Sequence, residues 1–137
     1  MKQIKVILGA VLLQAGVALA AAPNLVGNWE VVSGYSALNG TSTNPAPSEL
    51  FQTPMYKDLI IDDQKENAFT GHLTRDNGEK RFLAGVFGPD GKSVFLSTDN
   101  GSHIGSVSQD NNQLSTCGNT VSSTRNRSYC TVFKRVK

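Results

Sequence analysis

The stretch Gly85–Cys117, GVFGPDGKSVFLSTDNGSHIGSVSQDNNQLSTC, constrains the fold more than any other. Pro89-Asp90-Gly91, Asp99-Asn100-Gly101 and Asp110-Asn111-Asn112 punctuate it at intervals of about ten residues. Between them lie short runs of Val, Phe, Leu, Ile, Ser and Thr, which suit a pleated, half-buried surface. Turn residues at that spacing predict an antiparallel meander, each run pairing with the next through a tight turn.

The pattern extends in both directions. Leu25–Ser33, LVGNWEVVS, alternates Leu25, Gly27, Trp29 and Val31 against Val26, Asn28, Glu30 and Val32. Further strands are expected over 56–62, 68–74, 81–87, 93–98, 103–108, 113–117 and 128–136. Asp76-Asn77-Gly78 makes another hairpin turn. No stretch carries a 3.6-residue apolar period, so little or no helix is expected.

Two connections stand out. Residues 36–54 hold Pro45, Pro47 and Pro54 among Gly, Ser, Thr and Asn, and read as a long loop. Residues 118–126 read as a shorter polar one. The fold class is therefore all-β: an eight-stranded antiparallel up-and-down barrel in a single domain, 21–137. A two-sheet sandwich needs more long crossings than these two. Closure also removes both sheet edges, which an exported chain would otherwise expose. Gly71, Gly85 and Gly105 fall within strands, where they either bend the sheet or leave room for a ligand.

Residues 1–20 are set apart. Lys2 and Lys5 precede an apolar run from Val6 to Ala20 broken by Gln14, and Ala18-Leu19-Ala20 offers small residues for cleavage before Ala21. This is the pattern of a secretory signal peptide, too short to make a membrane anchor. The expected location is secreted or periplasmic, without stable membrane insertion. The first twenty residues hold two of the thirteen basic residues and none of the eleven acidic ones, so the remainder is balanced at eleven of each. Balance argues against nucleic acid as a partner. Cys117 and Cys130 are the only cysteines, and in an oxidising compartment one disulfide is expected.

Gly27-Asn28-Trp29 on the first strand resembles the lipocalin and avidin superfamily, the calycins. Asn67-Ala68-Phe69-Thr70-Gly71 is similar to a Phe-Thr-Gly strand of avidins. The resemblance implies that Trp29 closes one end of the barrel and that a basic residue of the last strand, Arg135 or Lys134, packs over it. It also makes 36–54 positionally similar to a lipocalin lid. Avidins wall their biotin pocket with several tryptophans, and this chain has one, so biotin is not the expected ligand.

Chemistry is sparse. His72 and His103 lie on separate strands without a nucleophile elbow and are read as outward surface residues. Asp62 and Asp63 are adjacent on a strand and point to opposite faces. Two cysteines and two histidines without zinc-ligand spacing give no metal site. No cofactor and no enzymatic activity are expected. The function expected is that of an exported non-enzymatic binding barrel for a small apolar or amphipathic ligand. Tyr35, Phe51 and Tyr56, flanking the long loop, are the candidate contacts. The alternative is an exported protein-binding module such as a hydrolase or protease inhibitor.

Overall fold

A computed structural model describes residues 21–99 and 101–137. Residues 1–20, where a signal peptide is expected, and Asn100 lie outside the described residues. Nine strands follow one another without a helix among the described residues: β1 Gly27–Gly40, β2 Glu49–Phe51, β3 Asp58–Lys65, β4 Ala68–Thr74, β5 Lys80–Phe87, β6 Ser93–Thr98, β7 Gly101–Val107, β8 Gln113–Val121 and β9 Arg125–Arg135. β3 to β9 form a neighbour-to-neighbour antiparallel ladder, β1 lies beside β3, and β1 also pairs with β9. Eight strands thus close into an up-and-down barrel. The ninth, β2, pairs with the far end of β1.

The hairpins rest on the turn chemistry read from the sequence. Asp90 accepts hydrogen bonds from the backbone N–H groups of Lys92 (2.9 Å) and Ser93 (2.8 Å). Gly78 and Gly91 supply φ of 82° and 65°, which side-chain-bearing residues adopt only at a cost.

The register tilts the strands. From Ser36, opposite Tyr129, the ladder passes through Gly118, His103, Leu96, Gly85 and Phe69 to Gln64. The Gln64 side chain then accepts from the backbone of Leu25, well toward the start of the chain from Ser36. One lap therefore climbs along β1, as a tilted barrel requires. Bulges between Val31 and Ser33 and between Ile61 and Asp63 add local bend.

Two loops are shorter than expected. β1 runs on to Gly40, and Glu49–Phe51 pairs with Ser36–Leu38, so only 41–48 and 52–54 of the expected long connection lie outside strands. The prolines are respected, since Pro45, Pro47 and Pro54 all fall outside β2. Likewise β8 reaches Val121 and β9 begins at Arg125, leaving a tight turn closed by Ser122 N–H to Arg125 carbonyl at 2.9 Å. In both places the inward residues other than Leu38 are small or polar, so the alternation is not one of hydrophobicity.

The interior is divided along the barrel axis. At the end where β1 begins, Trp29, Leu25, Ile61, Phe69, Leu114 and Phe133 are buried together. Their packing leaves no slack at Gly85, where an added Cβ would sit 2.4 Å from Phe69 and 2.7 Å from Leu96. Gly85 therefore accommodates an aromatic ring of the core itself. At the opposite end the inward residues are mainly polar.

Candidate functional site

At the floor, the Arg135 guanidinium lies 4.5 Å from the centroid of the Trp29 ring. The two residues are register partners across β1 and β9. Arg135 also donates to the carbonyls of Val26 (3.0 Å) and Asn24, while Trp29 Nε1 donates to the Leu25 carbonyl at 2.9 Å. The segment before β1 is thereby drawn across the barrel end. Lys134, opposite Glu30, is exposed instead.

Higher in the barrel a buried polar chain begins. Tyr129 Oη lies 2.9 Å from His103 Nε2 and 3.5 Å from Tyr56 Oη. His103 and Tyr129 sit on β7 and β9, separated by Gly118 of β8. Only a residue without a side chain lets the two rings meet, because a Cβ on Gly118 would lie 2.7 Å from His103 Cγ. Burial holds the His103 pKa down at about 4, so the ring is neutral near neutral pH. Burial raises the Tyr129 pKa, and the bond to Tyr56 adds to it, so its phenol keeps its proton. The tautomer of neutral His103 sets the direction of the chain: with the proton on Nδ1 its Nε2 accepts from the Tyr129 hydroxyl, and with the proton on Nε2 it donates to it.

His103 departs from the outward reading, and His72 keeps its outward face but is covered. His103 is 3 % exposed and faces inward, in phase with Gly105 and Val107. The sign was there: Val107 ends that strand on the core side, and His103 shares its face. His72 does lie opposite the Phe69 face but is only 7 % exposed. The β3 bulge displaces Asp62, whose Oδ2 reaches His72 Nδ1 at 3.0 Å, and the Phe82 ring lies 6.2 Å away. Among the described residues no group of three or more His, Cys, Asp or Glu side chains could hold a metal ion.

The outer wall carries the other notable feature. Register partners Ala68, Val86, Phe95, Ile104, Cys117, Cys130 and Tyr35 form one continuous row across six neighbouring strands and on to β1. Cys117 and Cys130 are disulfide-bonded within it, next to Tyr35. Val86, Phe95, Ile104 and Tyr35 are 48 %, 52 %, 63 % and 63 % exposed. Three depressions of about 690, 440 and 660 Å³ follow the row, sharing Phe95, Ile104 and Cys117 between neighbours.

The three candidate ligand contacts are not gathered on one surface. Tyr35 belongs to the outer row. Tyr56 is 2 % exposed and lies inside against Tyr129. Phe51 pairs with inward-facing Ser36, and the Arg127 guanidinium lies 5.7 Å from its ring. Tyr35 and Phe51 nevertheless line one depression of about 660 Å³, whereas Tyr56 lies apart from both inside the barrel.

No family model and no curated protein matches the chain. Among solved structures it is similar to a structural-genomics protein of unknown function from Bacteroides ovatus, with a TM-score of 0.52 and 10 % identity. The likeness covers 84 % of this chain and 42 % of that one, so this chain spans less than half of its neighbour's length. At that identity it speaks for the barrel fold alone.

Proposed function

We propose that the protein is an exported, non-enzymatic binding barrel that engages a partner protein through the apolar row on its outer wall. The carrying observation is the run Val86–Phe95–Ile104–disulfide–Tyr35, contiguous by register and roughly half exposed or more at each of its four large side chains. Scattered surface hydrophobics are ordinary, but a contiguous apolar band is what protein interfaces bury. The tightly packed floor half of the interior supports an outside site over a deep inside one. The disulfide fits a non-reducing compartment, and the 1–20 segment has the pattern that would direct the chain to a secreted or periplasmic location. The closed barrel and the Arg135–Trp29 stack are compatible with a lipocalin- or avidin-like architecture.

The test is capture by cross-linking in the extracytoplasmic fraction of the host, with wild type beside Phe95→Asp and Ile104→Asp. Both positions are outward, so the variants should melt as wild type does. The expected result is a partner held by wild type and lost from both variants. An identical captured set with all three proteins sinks the reading.

A small amphipathic ligand is the second reading, favoured by the polar end of the interior. Native mass spectrometry of protein purified from its host tests it. A retained small molecule supports it, and a bare protein mass counts against it.

A further inference from the structure

The polar end of the barrel is also cationic. Arg127 on β9 shares the inward face of Tyr129 and Phe133, and Arg81 on β5 that of Leu83 and Phe87. Arg75 follows β4 in phase with Leu73. Their guanidiniums act on the buried phenols, Arg75 and Arg127 on Tyr129 and Arg81 on Tyr56. Three inward-phased arginines, on β5, on β9 and just after β4, thus share the end of the barrel that holds the hydroxyl pair.

They are unequally compensated. Glu79 bridges two of them, at 2.9 Å from Arg75 and 2.6 Å from Arg81, and Asp99 takes the other side of Arg81 at 2.6 Å. Arg127 forms no ion pair among the described residues, and its guanidinium lies against the Phe51 ring. Its Nε, like those of Arg75 and Arg81, is buried with no hydrogen-bond acceptor. A buried donor without an acceptor is costly, while the rest of Arg127 is only partly buried and stays within reach of an incoming anion. A planar guanidinium presents paired donors whose natural complement is a carboxylate or phosphate.

We propose that this end of the barrel binds a compact oxyanion, a carboxylate or phosphate group, with Arg127 as its principal ligand and Arg75 beside it. The anion supplies the charge that Arg127 lacks. Phe51 walls the site, and the Tyr56–Tyr129 hydroxyls lie beneath it. The inference gives a chemical class to the small-molecule reading and does not depend on the outer row.

The experiment follows the arginine Nε–Hε resonances by NMR during separate titrations with sodium phosphate, sodium acetate and sodium chloride at constant ionic strength. A saturable shift of the Arg127 signal with phosphate or acetate, not reproduced by chloride, is expected. The tighter of the two names the group. Arg127→Gln should abolish binding. Arg127→Lys, which keeps the charge but loses the fork, should weaken it at least tenfold, read on the Arg75 signal. Lys134→Gln, on the outward face of the same strand, should leave it unchanged. A linear shift without saturation, an equal response to chloride, or undiminished binding by the Arg127 variants overturns the proposal. If phosphate and acetate fail while a molecule is still retained in native mass spectrometry, the site class is wrong but the small-molecule reading stands.

Discussion

Tyr129 Oη and His103 Nε2 meet at 2.9 Å across the strand that separates them. The contact depends on the absent side chain of Gly118. Adding one methyl there would bring it to 2.7 Å from His103 Cγ and 2.8 Å from the Ser102 carbonyl. Neither neighbour is the free end of a flexible chain. Gly118→Ala should therefore destabilise the protein by about 1–3 kcal/mol, measured by urea unfolding. His103→Ala in the same background should recover part of that loss but not all, since the carbonyl remains. Additive effects of the two substitutions would show that the two positions do not meet.

Stability should also depend on pH through His103. Its folded pKa of about 4 lies below the ordinary value of 6.5. Between those values the unfolded chain takes up a proton that the folded one refuses, so stability falls as pH drops from 6.5 toward 4 and levels off below. The full effect is up to about 3 kcal/mol at roughly 1.4 kcal/mol per unit. Denaturant melts at pH 7 and pH 4.5 measure it, and His103→Gln should flatten that part of the profile. An equal slope in the variant would assign the effect to other groups.

How far the sequence is legible depends on where apolarity and alternation coincide. Along Leu83-Ala84-Gly85-Val86-Phe87 and Ser93–Thr98, turn residues bracket clear runs, and the strands lie within a residue of expectation. At Ser36–Gly40 and Gly118–Val121 the inward positions are Ser, Gly, Leu and Thr, and the extended strands do not stand out from loop composition. The same blindness hid the polar end of the barrel. Arg81 and Arg127 stand where turn and strand meet, and a cation facing inward is not what a hydrophobic pattern seeks. The outer apolar row was hidden for another reason. Val86, Phe95, Ile104 and Tyr35 are far apart in sequence, and only the register aligns them.

The disulfide is the next point of leverage. Cys117 and Cys130 are direct register partners on β8 and β9, thirteen residues apart in sequence. A cross-link closing a loop of that size is worth about 3 kcal/mol in the chain-entropy model. Cys130→Ser or reduction should cost about 2–4 kcal/mol, and amide exchange in β9 should accelerate before that in β5 or β6. A melting temperature unmoved by reduction would remove the energetic claim. Exchange that rises evenly over all strands would remove the local one.

The last strand also closes the floor, which makes Arg135 a second lever on barrel integrity. Its guanidinium covers Trp29 and ties down the Val26 and Asn24 carbonyls, so one side chain joins β9, β1 and the segment before β1. A partly desolvated cation over an indole contributes about 0.5–2 kcal/mol, and charge-assisted bonds to carbonyls about 1.5–3 kcal/mol each before screening. Because the groups are partly wet, Arg135→Ala should cost about 1–3 kcal/mol in total, at the low end of that combination. Trp29 is the only tryptophan, so its fluorescence reports the change without ambiguity. Water admitted over the indole should shift its emission to longer wavelength while the fold survives at low temperature. Arg135→Lys keeps the charge but cannot span both carbonyls, and should fall between wild type and Arg135→Ala. Removing 127–137 takes away nearly all of β9, its pairing with both β1 and β8, and the floor cover together, and should abolish the cooperative melt. A truncated protein that still melted cooperatively would mean that the barrel does not need β9 to close. Unchanged emission in Arg135→Ala would mean that the cation does not shield the ring in solution.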